Sequence, residues 1–311
     1  MIRVANAPCS WGILEFNPST PANTSPLRAG GSRGAPYTQV LDEIRETGYA
    51  GTELGDWGFM PTDPARLHDE LAARSLALVG AFVPVALARA ETHAPGIQTA
   101  VRTARLMRDA GAVGAFIVLS DNNASVPARE QRAGRIGPED SLDERQWTTF
   151  GDGAERIARA VKEETGLRTV FHPHCGGYVE TEAEIDQLMA RTRASLVGLL
   201  IDTGHIMYGG GDPLRVLKRH ASRVTHVHFK DCDEDVAAHA RATGQGYLAA
   251  VREQVFCELG EGDVDFKAVT EELRRMDYNG WIVVEQDVFP GYGTPAQSAK
   301  RSRDYLRGLG L

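Results

Sequence analysis

Apolar positions gather into eight short runs, 2–7, 51–54, 77–83, 115–119, 169–171, 197–201, 224–229 and 281–284, each of strand length. Stretches of helical period separate them, at 37–47, 64–74, 97–110, 150–164, 182–191, 213–220 and 266–276, and a last one at 296–306 follows the eighth run. Strand then helix, repeated, predicts parallel strands covered by helices. Gly48, Gly111, Gly166 and Gly280 each precede a strand, where a left-handed residue ends the helix before it. Spread over eight units, the 311 residues give about 39 per unit, the size expected of an α/β fold of the (β/α)8 TIM-barrel type. An open doubly wound sheet fits the same alternation. The barrel is preferred because one last helix follows the eighth strand.

The pattern predicts a single domain over 1–311 with three enlarged connections, at about 13–36, 121–147 and 232–263. All three follow a strand, so all rise on the barrel face that carries active sites. Long loops there are expected to act as lids or subunit contacts in a homo-oligomer.

Composition narrows the partners. With 42% hydrophobic residues the chain can bury a core, and 34 basic against 42 acidic side chains leave a net charge of −8. A negative field argues against nucleic acid or an anionic membrane and for a small molecule. No apolar run approaches the roughly 18 residues that span a bilayer, and Met1–Ala5 enters a strand without an export signal. Cys9, Cys175, Cys232 and Cys257 are too scattered for a disulfide framework or a zinc knuckle. A cytoplasmic location is expected.

Chemistry concentrates late in the chain. Five of nine histidines, His172, His174, His205, His226 and His228, stand in or just beyond strands five to seven. They stand in Phe171-His172-Pro173-His174, Asp202-Thr203-Gly204-His205 and His226-Val227-His228-Phe229-Lys230-Asp231, where each apolar run ends. The eighth strand ends in Glu285-Gln286-Asp287. Alternation puts His226 and His228 on one face and Val227 on the other. His172, Asp202, His228 and Glu285 offer one N or O ligand from each of four consecutive strands. Such a set suits manganese, cobalt, iron, magnesium or zinc. A lone histidine is more often structural; four ligand types in series favour a metal.

Other residues admit two readings. Glu53, ending the second strand, is either salt-bridged within the barrel or a contact for substrate hydroxyls. Lys230 either stabilises an enolate or donates a proton, or it pairs with Asp231 at the surface. His205 is placed to turn back into the site. Gly209-Gly210-Gly211-Asp212 lacks the lysine and spacing of phosphate loops and reads as a turn capping the next helix. Ser10 is not in a nucleophile elbow, and Trp11 is a sugar-stacking or packing surface.

Through these residues the sequence resembles the xylose-isomerase-like TIM barrels, and within them the inosose dehydratases. The likeness rests on Ser10-Trp11-Gly12, Gly51-Thr52-Glu53-Leu54-Gly55, His172-Pro173-His174, Asp202-Thr203-Gly204-His205, His226-Val227-His228-Phe229-Lys230-Asp231, Gly260-Glu261-Gly262 and Glu285-Gln286-Asp287. It implies a divalent ion, typically manganese or cobalt, on His172, Asp202, His228 and Glu285. The enlarged loop at 13–36 and the His-Pro-His strand end depart from the dehydratase pattern, which leaves a related keto-sugar open as substrate. The expected chemistry is proton abstraction beside a ketone and loss of a β-hydroxyl as water. Glu285 or His174 would be the base and His205 or Lys230 the acid, with Trp11, Glu53, His226 and Asp231 on the polyol substrate. A ketose isomerase or epimerase and a noncatalytic sugar-binding barrel are the alternatives.

Overall fold

Eight strands pair in sequence order, all parallel, and the last closes on the first: β1 (Arg3–Asn6), β2 (Gly51–Glu53), β3 (Ala77–Pro84), β4 (Phe116–Ser120), β5 (Arg168–Phe171), β6 (Val197–Asp202), β7 (Val224–Phe229) and β8 (Trp281–Val284). The open sheet is thereby excluded. The computed structural model describes residues 1–13, 35–123, 125–288 and 293–311. Eight helices at Tyr37–Glu46, Pro64–Ala73, His93–Asp109, Glu144–Thr165, Glu182–Arg191, Pro213–Arg219, Phe266–Arg275 and Pro295–Gly308 wrap the barrel.

Strand alternation sorts the apolar side chains into two populations. Ile117, Leu119, Phe171, Leu199, Ile201, Val227, Phe229 and Ile282 join the helices in one large core between sheet and helix layer. Two smaller clusters, Ala5, Val79, Trp281 and Val283, and Phe116, Val118, Val170 and Leu200, fill the bore. Twice the register slips. Thr52 pairs with Leu78 but Glu53 with Gly80, and Leu199 pairs with Val224 but Leu200 with His226. Each slip is a bulge that re-aims the residues beyond it.

The predicted helices agree with the observed ones to within four residues except the one expected at 150–164, which starts at Glu144, where Asp143 and Gln146 form a capping box. The pattern does not predict the helices inside the strand-to-helix connections: Pro127–Arg132, Thr203–Tyr208 and Tyr247–Arg252 are too short to show a sustained apolar period, and Glu234–Thr243 buries only Ala237 and Ala240. Gly48, Gly111 and Gly166 have positive φ as expected; Gly280 does not, and Asp277 takes the left-handed position in its turn (φ 53°). Asp212 caps Pro213–Arg219, accepting from Leu214 and Arg215 N–H, as the glycine-turn reading requires.

Residues 14–34, most of the first enlarged connection, lie outside the described residues, so its expected lid is not located. The other two connections hold each other. Glu130 Oε1 accepts from Leu248 N–H (3.0 Å), Gln131 Nε2 donates to Gly244 O (2.8 Å), and Arg135 Nη1 donates to Gln245 O (2.9 Å). Ala133, Tyr208, Tyr247, Val251 and Phe256 pack into a separate apolar cluster beneath them. Arg129 fastens this layer to the barrel through two bonds to Glu184 (2.9 and 2.8 Å) and one to Gly177 O (2.9 Å).

Glu180 sits in this junction, its carboxylate accepting from Gly134 N–H (2.6 Å) and Gly176 N–H (3.0 Å). Burial outweighs those bonds and raises its pKa from 4.5 to about 7. The folded state therefore holds a proton that the unfolded chain releases. The resulting stabilisation is complete below pH 4.5 and is gone once pH has risen through about 7. Replacing Glu180 by Gln should flatten the urea midpoint across that window, where the native protein loses on the order of 2–3 kcal/mol from this group. Equal slopes for both proteins would show that Glu180 does not titrate there.

Candidate active site

The strand ends deliver five histidines, four carboxylates and one lysine into the mouth of the barrel, and most are almost fully buried. β7 turns His226, His228 and then Lys230 inward, while Val227 and Phe229 lock its other face into the helix layer. β6 ends on Asp202, which also caps Thr203–Tyr208: its Oδ1 accepts from His205 N–H (2.9 Å). That leaves Oδ2 pointing into the mouth.

The hydrogen bonds determine which ring nitrogens carry protons. His172 Nδ1 lies 2.8 Å from Pro173 O, which can only accept, so this nitrogen donates and Nε2 keeps its lone pair. His228 Nε2 donates to Glu53 Oε1 (3.1 Å), so its Nδ1 faces the cluster. His172 Nε2 is then 3.5 Å from Asp202 Oδ2, and His228 Nδ1 is 3.7 Å from Asp202 Oδ2 and 3.1 Å from Glu285 Oε2. His172, Asp202, His228 and Glu285 thus bring four ligand atoms within 4.8 Å of one another.

This arrangement fits a metal ion. Asp202 Oδ2 and His228 Nδ1 are buried with no hydrogen-bond partner among the described residues, a state that costs free energy unless a cation resolves it. Burial opposes a charge on His228, yet the Glu285 and Glu53 carboxylates hold it well above the ordinary histidine range, so the cluster demands positive charge. The donors are two imidazoles and two carboxylates with no thiolate, the mixed set that divalent transition metals accept. Their outer atoms are anchored to Pro173 O and Glu53, as in other histidine metal sites.

A second group adjoins the first. Lys230 Nζ lies 3.0 Å from His205 Nε2, 3.0 Å from Asp287 Oδ2 and 3.2 Å from Glu285 Oε2. His174 stacks on His205 with ring centroids 3.7 Å apart. Burial first, and then a neighbouring histidine and the Lys230 ammonium, pull both imidazoles well below the usual range, so they are neutral. Burial works against the Lys230 ammonium, but Asp202, Asp287 and Glu285 keep it charged. The catalytic candidates Glu285, His174, His205 and Lys230 all meet here.

Of the four side chains expected on the substrate, Glu53 and His226 lie beside His228, and Asp231 and Trp11 lie away from the cluster. Glu53 Oε1 accepts from both His226 (2.9 Å) and His228 (3.1 Å); burial pushes its pKa up, but those two histidines prevail and bring it to about 2. His226 lies deeper, its ring 5.1 Å from that of Phe116. Both side chains therefore support His228. Asp231 points away, its oxygens accepting from Cys232, Gly260, Gly262 and Val264 N–H, which folds the connection before Phe266–Arg275. Trp11 is buried in the helix-layer core and donates to Glu43 Oε2 (2.6 Å). Sequence reasoning missed Tyr247, whose hydroxyl donates to Asp287 Oδ2 (2.8 Å) from the β7 connection. It also missed Gly80.

Comparison with known proteins places this geometry in context. A family model described as xylose isomerase-like TIM barrel matches residues 41–309. The inosose dehydratase of Geobacillus kaustophilus (strain HTA426) is 33% identical over 98% of this chain and 93% of its own length. The rhizopine catabolism protein MocC of Rhizobium meliloti is 35% identical over 94% of this chain and 87% of its own. Among solved structures, an L-ribulose 3-epimerase superposes with a TM-score of 0.69 over 100% of this chain and 95% of that one, at 17% identity.

Gly80 leads to a prediction. A Cβ at this position would lie 2.5 Å from Glu53 Oε1, so glycine opposite Glu53 is what admits the carboxylate to the bore. Gly80→Ala should cost about 1–3 kcal/mol of stability by overpacking. It should also weaken cobalt binding about ten- to a hundredfold by releasing His228. A folded variant that titrates with cobalt like the native protein would remove Glu53 from its supporting role.

Proposed function

The chain belongs to the xylose isomerase-like TIM barrel family, and from that premise we propose that it is a divalent-metal-dependent hydro-lyase that dehydrates a keto-inositol (an inosose) or a closely related keto-sugar. The observation that carries this reading is the likeness of nearly the whole chain to inosose dehydratase. The barrel alone does not choose the reaction, since an L-ribulose 3-epimerase shares it. Free thiols at all four cysteines agree with a cytoplasmic setting.

His172, Asp202, His228 and Glu285 would hold the ion. Manganese or cobalt suits these donors, and when bound it supplies Lewis acidity to a ketone oxygen and a neighbouring hydroxyl. The protein's own groups then divide the proton transfers. Glu285 or His174 takes the proton from the carbon beside the ketone; the C–H electrons become the enolate double bond. The β C–O bond breaks next. Its oxygen leaves as water with a proton drawn from the Lys230 and His205 pair, which are in direct contact. Elimination needs this second donor placed on the leaving hydroxyl, and epimerisation does not.

Incubating the protein with manganese and a panel of keto-inositols and ketoses tests the assignment. Ultraviolet absorbance of an unsaturated dione should grow with a keto-inositol. Interconversion of ketoses without such a product would establish the epimerase reaction instead. Asp202→Ala and His228→Ala should each abolish both metal retention and turnover, and full metal occupancy in both variants would eliminate this site.

A second measurement identifies the acid. Loss of a general acid costs about a hundredfold to ten-thousandfold in rate. His205→Ala or Lys230→Ala should therefore continue to exchange the substrate's α-proton in deuterated water while releasing little product. If exchange and elimination fall together in both variants, neither residue is the donor.

A further inference from the structure

His174, His205 and Asp287 form a second group of ligand-type side chains, with atoms within 4.8 Å of one another and all three residues buried. Lys230 Nζ joins it to the first group. Glu285 Oε2 is 3.1 Å from His228 Nδ1 on one side and 3.2 Å from Lys230 Nζ on the other. Asp202 Oδ2 is 3.5 Å from His172 Nε2 and 3.6 Å from Lys230 Nζ. Carboxylates placed in this way between two clusters of imidazole and carboxylate are the framework of two-ion centres, in which the ions lie roughly 3.5–4 Å apart.

The position that a second ion would take is filled by the chain itself. An ammonium has three donors and no acceptor, and Lys230 Nζ has three close partners: His205 Nε2 at 3.0 Å, Asp287 Oδ2 at 3.0 Å and Glu285 Oε2 at 3.2 Å. The fold holds the lysine there. A Cβ on Gly204 would lie 2.6 Å from Lys230 Cγ, so glycine makes room for the stem. Thr203 Oγ1 donates to Lys230 O (2.7 Å), and Tyr247 holds Asp287 from the opposite side.

We propose that Lys230 is a built-in second cation: by occupying the position between His205, Asp287 and Glu285, it restricts the centre to one divalent ion. This rests on the reading that His172, Asp202, His228 and Glu285 hold that ion. The ammonium carries one positive charge where a metal would carry two, and it imposes no coordination geometry on the carboxylates beside it. Removing it would leave the His205 imidazole and the Asp287 and Glu285 carboxylates around a cavity of lysine-head size, with His174 beside His205, a donor set that a divalent ion accepts.

The test is stoichiometry. Metal-stripped protein is titrated with cobalt, followed by visible absorption and by elemental analysis after dialysis. The native protein should saturate at one equivalent, Lys230→Ala and Lys230→Ser at two, and the double variant Lys230→Ala/Asp287→Ala at one again. Saturation of folded Lys230→Ala at one equivalent overturns the proposal. So does saturation of the native protein at two, because the second ion would then bind with the lysine in place. A native protein that binds none overturns the reading of the His172 centre itself, and the proposal falls with it. If the single variants unfold without metal, folding is titrated by circular dichroism: completion at two equivalents supports the proposal, and completion at one or failure to fold overturns it.

Discussion

Burying several carboxylates at the mouth of one barrel costs free energy unless each is met by a cation or a hydrogen-bond donor, and that constraint governs the construction of this molecule. Glu53, Asp202, Glu285 and Asp287 are all enclosed. Glu53 is met by two histidines, Asp202 by a backbone N–H, Glu285 by Lys230, and Asp287 by Lys230 and Tyr247. What is left without a hydrogen-bond partner among the described residues is Asp202 Oδ2 and His228 Nδ1, in the cluster that they form with His172 and Glu285.

Much of the surrounding scaffold serves this arrangement. The bulge in β3 sets Gly80 opposite Glu53, and Gly204 clears the stem of Lys230. The bulge between β6 and β7 sets Leu200 against His226 and Asp202 against His228, bringing a carboxylate and an imidazole from adjacent strands to one level. The outward side chains of the same strands are clamped in the helix-layer core. Ligand-bearing residues on clamped strands keep their geometry better than residues on loops, and an assembly of like charges needs that rigidity.

The enlarged connections act differently. Those after β4 and β7 contribute no ligand atom to the four-residue cluster; they bind each other, enclose an apolar cluster of their own, and carry Tyr247 over to Asp287. A layer of this kind lowers the exposure of the groups it contacts, which strengthens the charge interactions among them.

Local pattern was enough for the barrel. Strand and helix periods, and ligand-type residues at the ends of four successive apolar runs, are readable within a few residues of chain. They located the eight strands, the eight covering helices and the His172, Asp202, His228 and Glu285 set. Short helices such as Pro127–Arg132 escaped because one or two turns carry no period. Pairings across the chain were beyond reach for a different reason. Glu53 meets His228 from 175 residues away, Tyr247 meets Asp287 from 40, and Asp231 turns from the site to organise backbone about 30 residues on. Only closure of the barrel brings those partners together, and only their hydrogen bonds decide which histidine nitrogen keeps its lone pair.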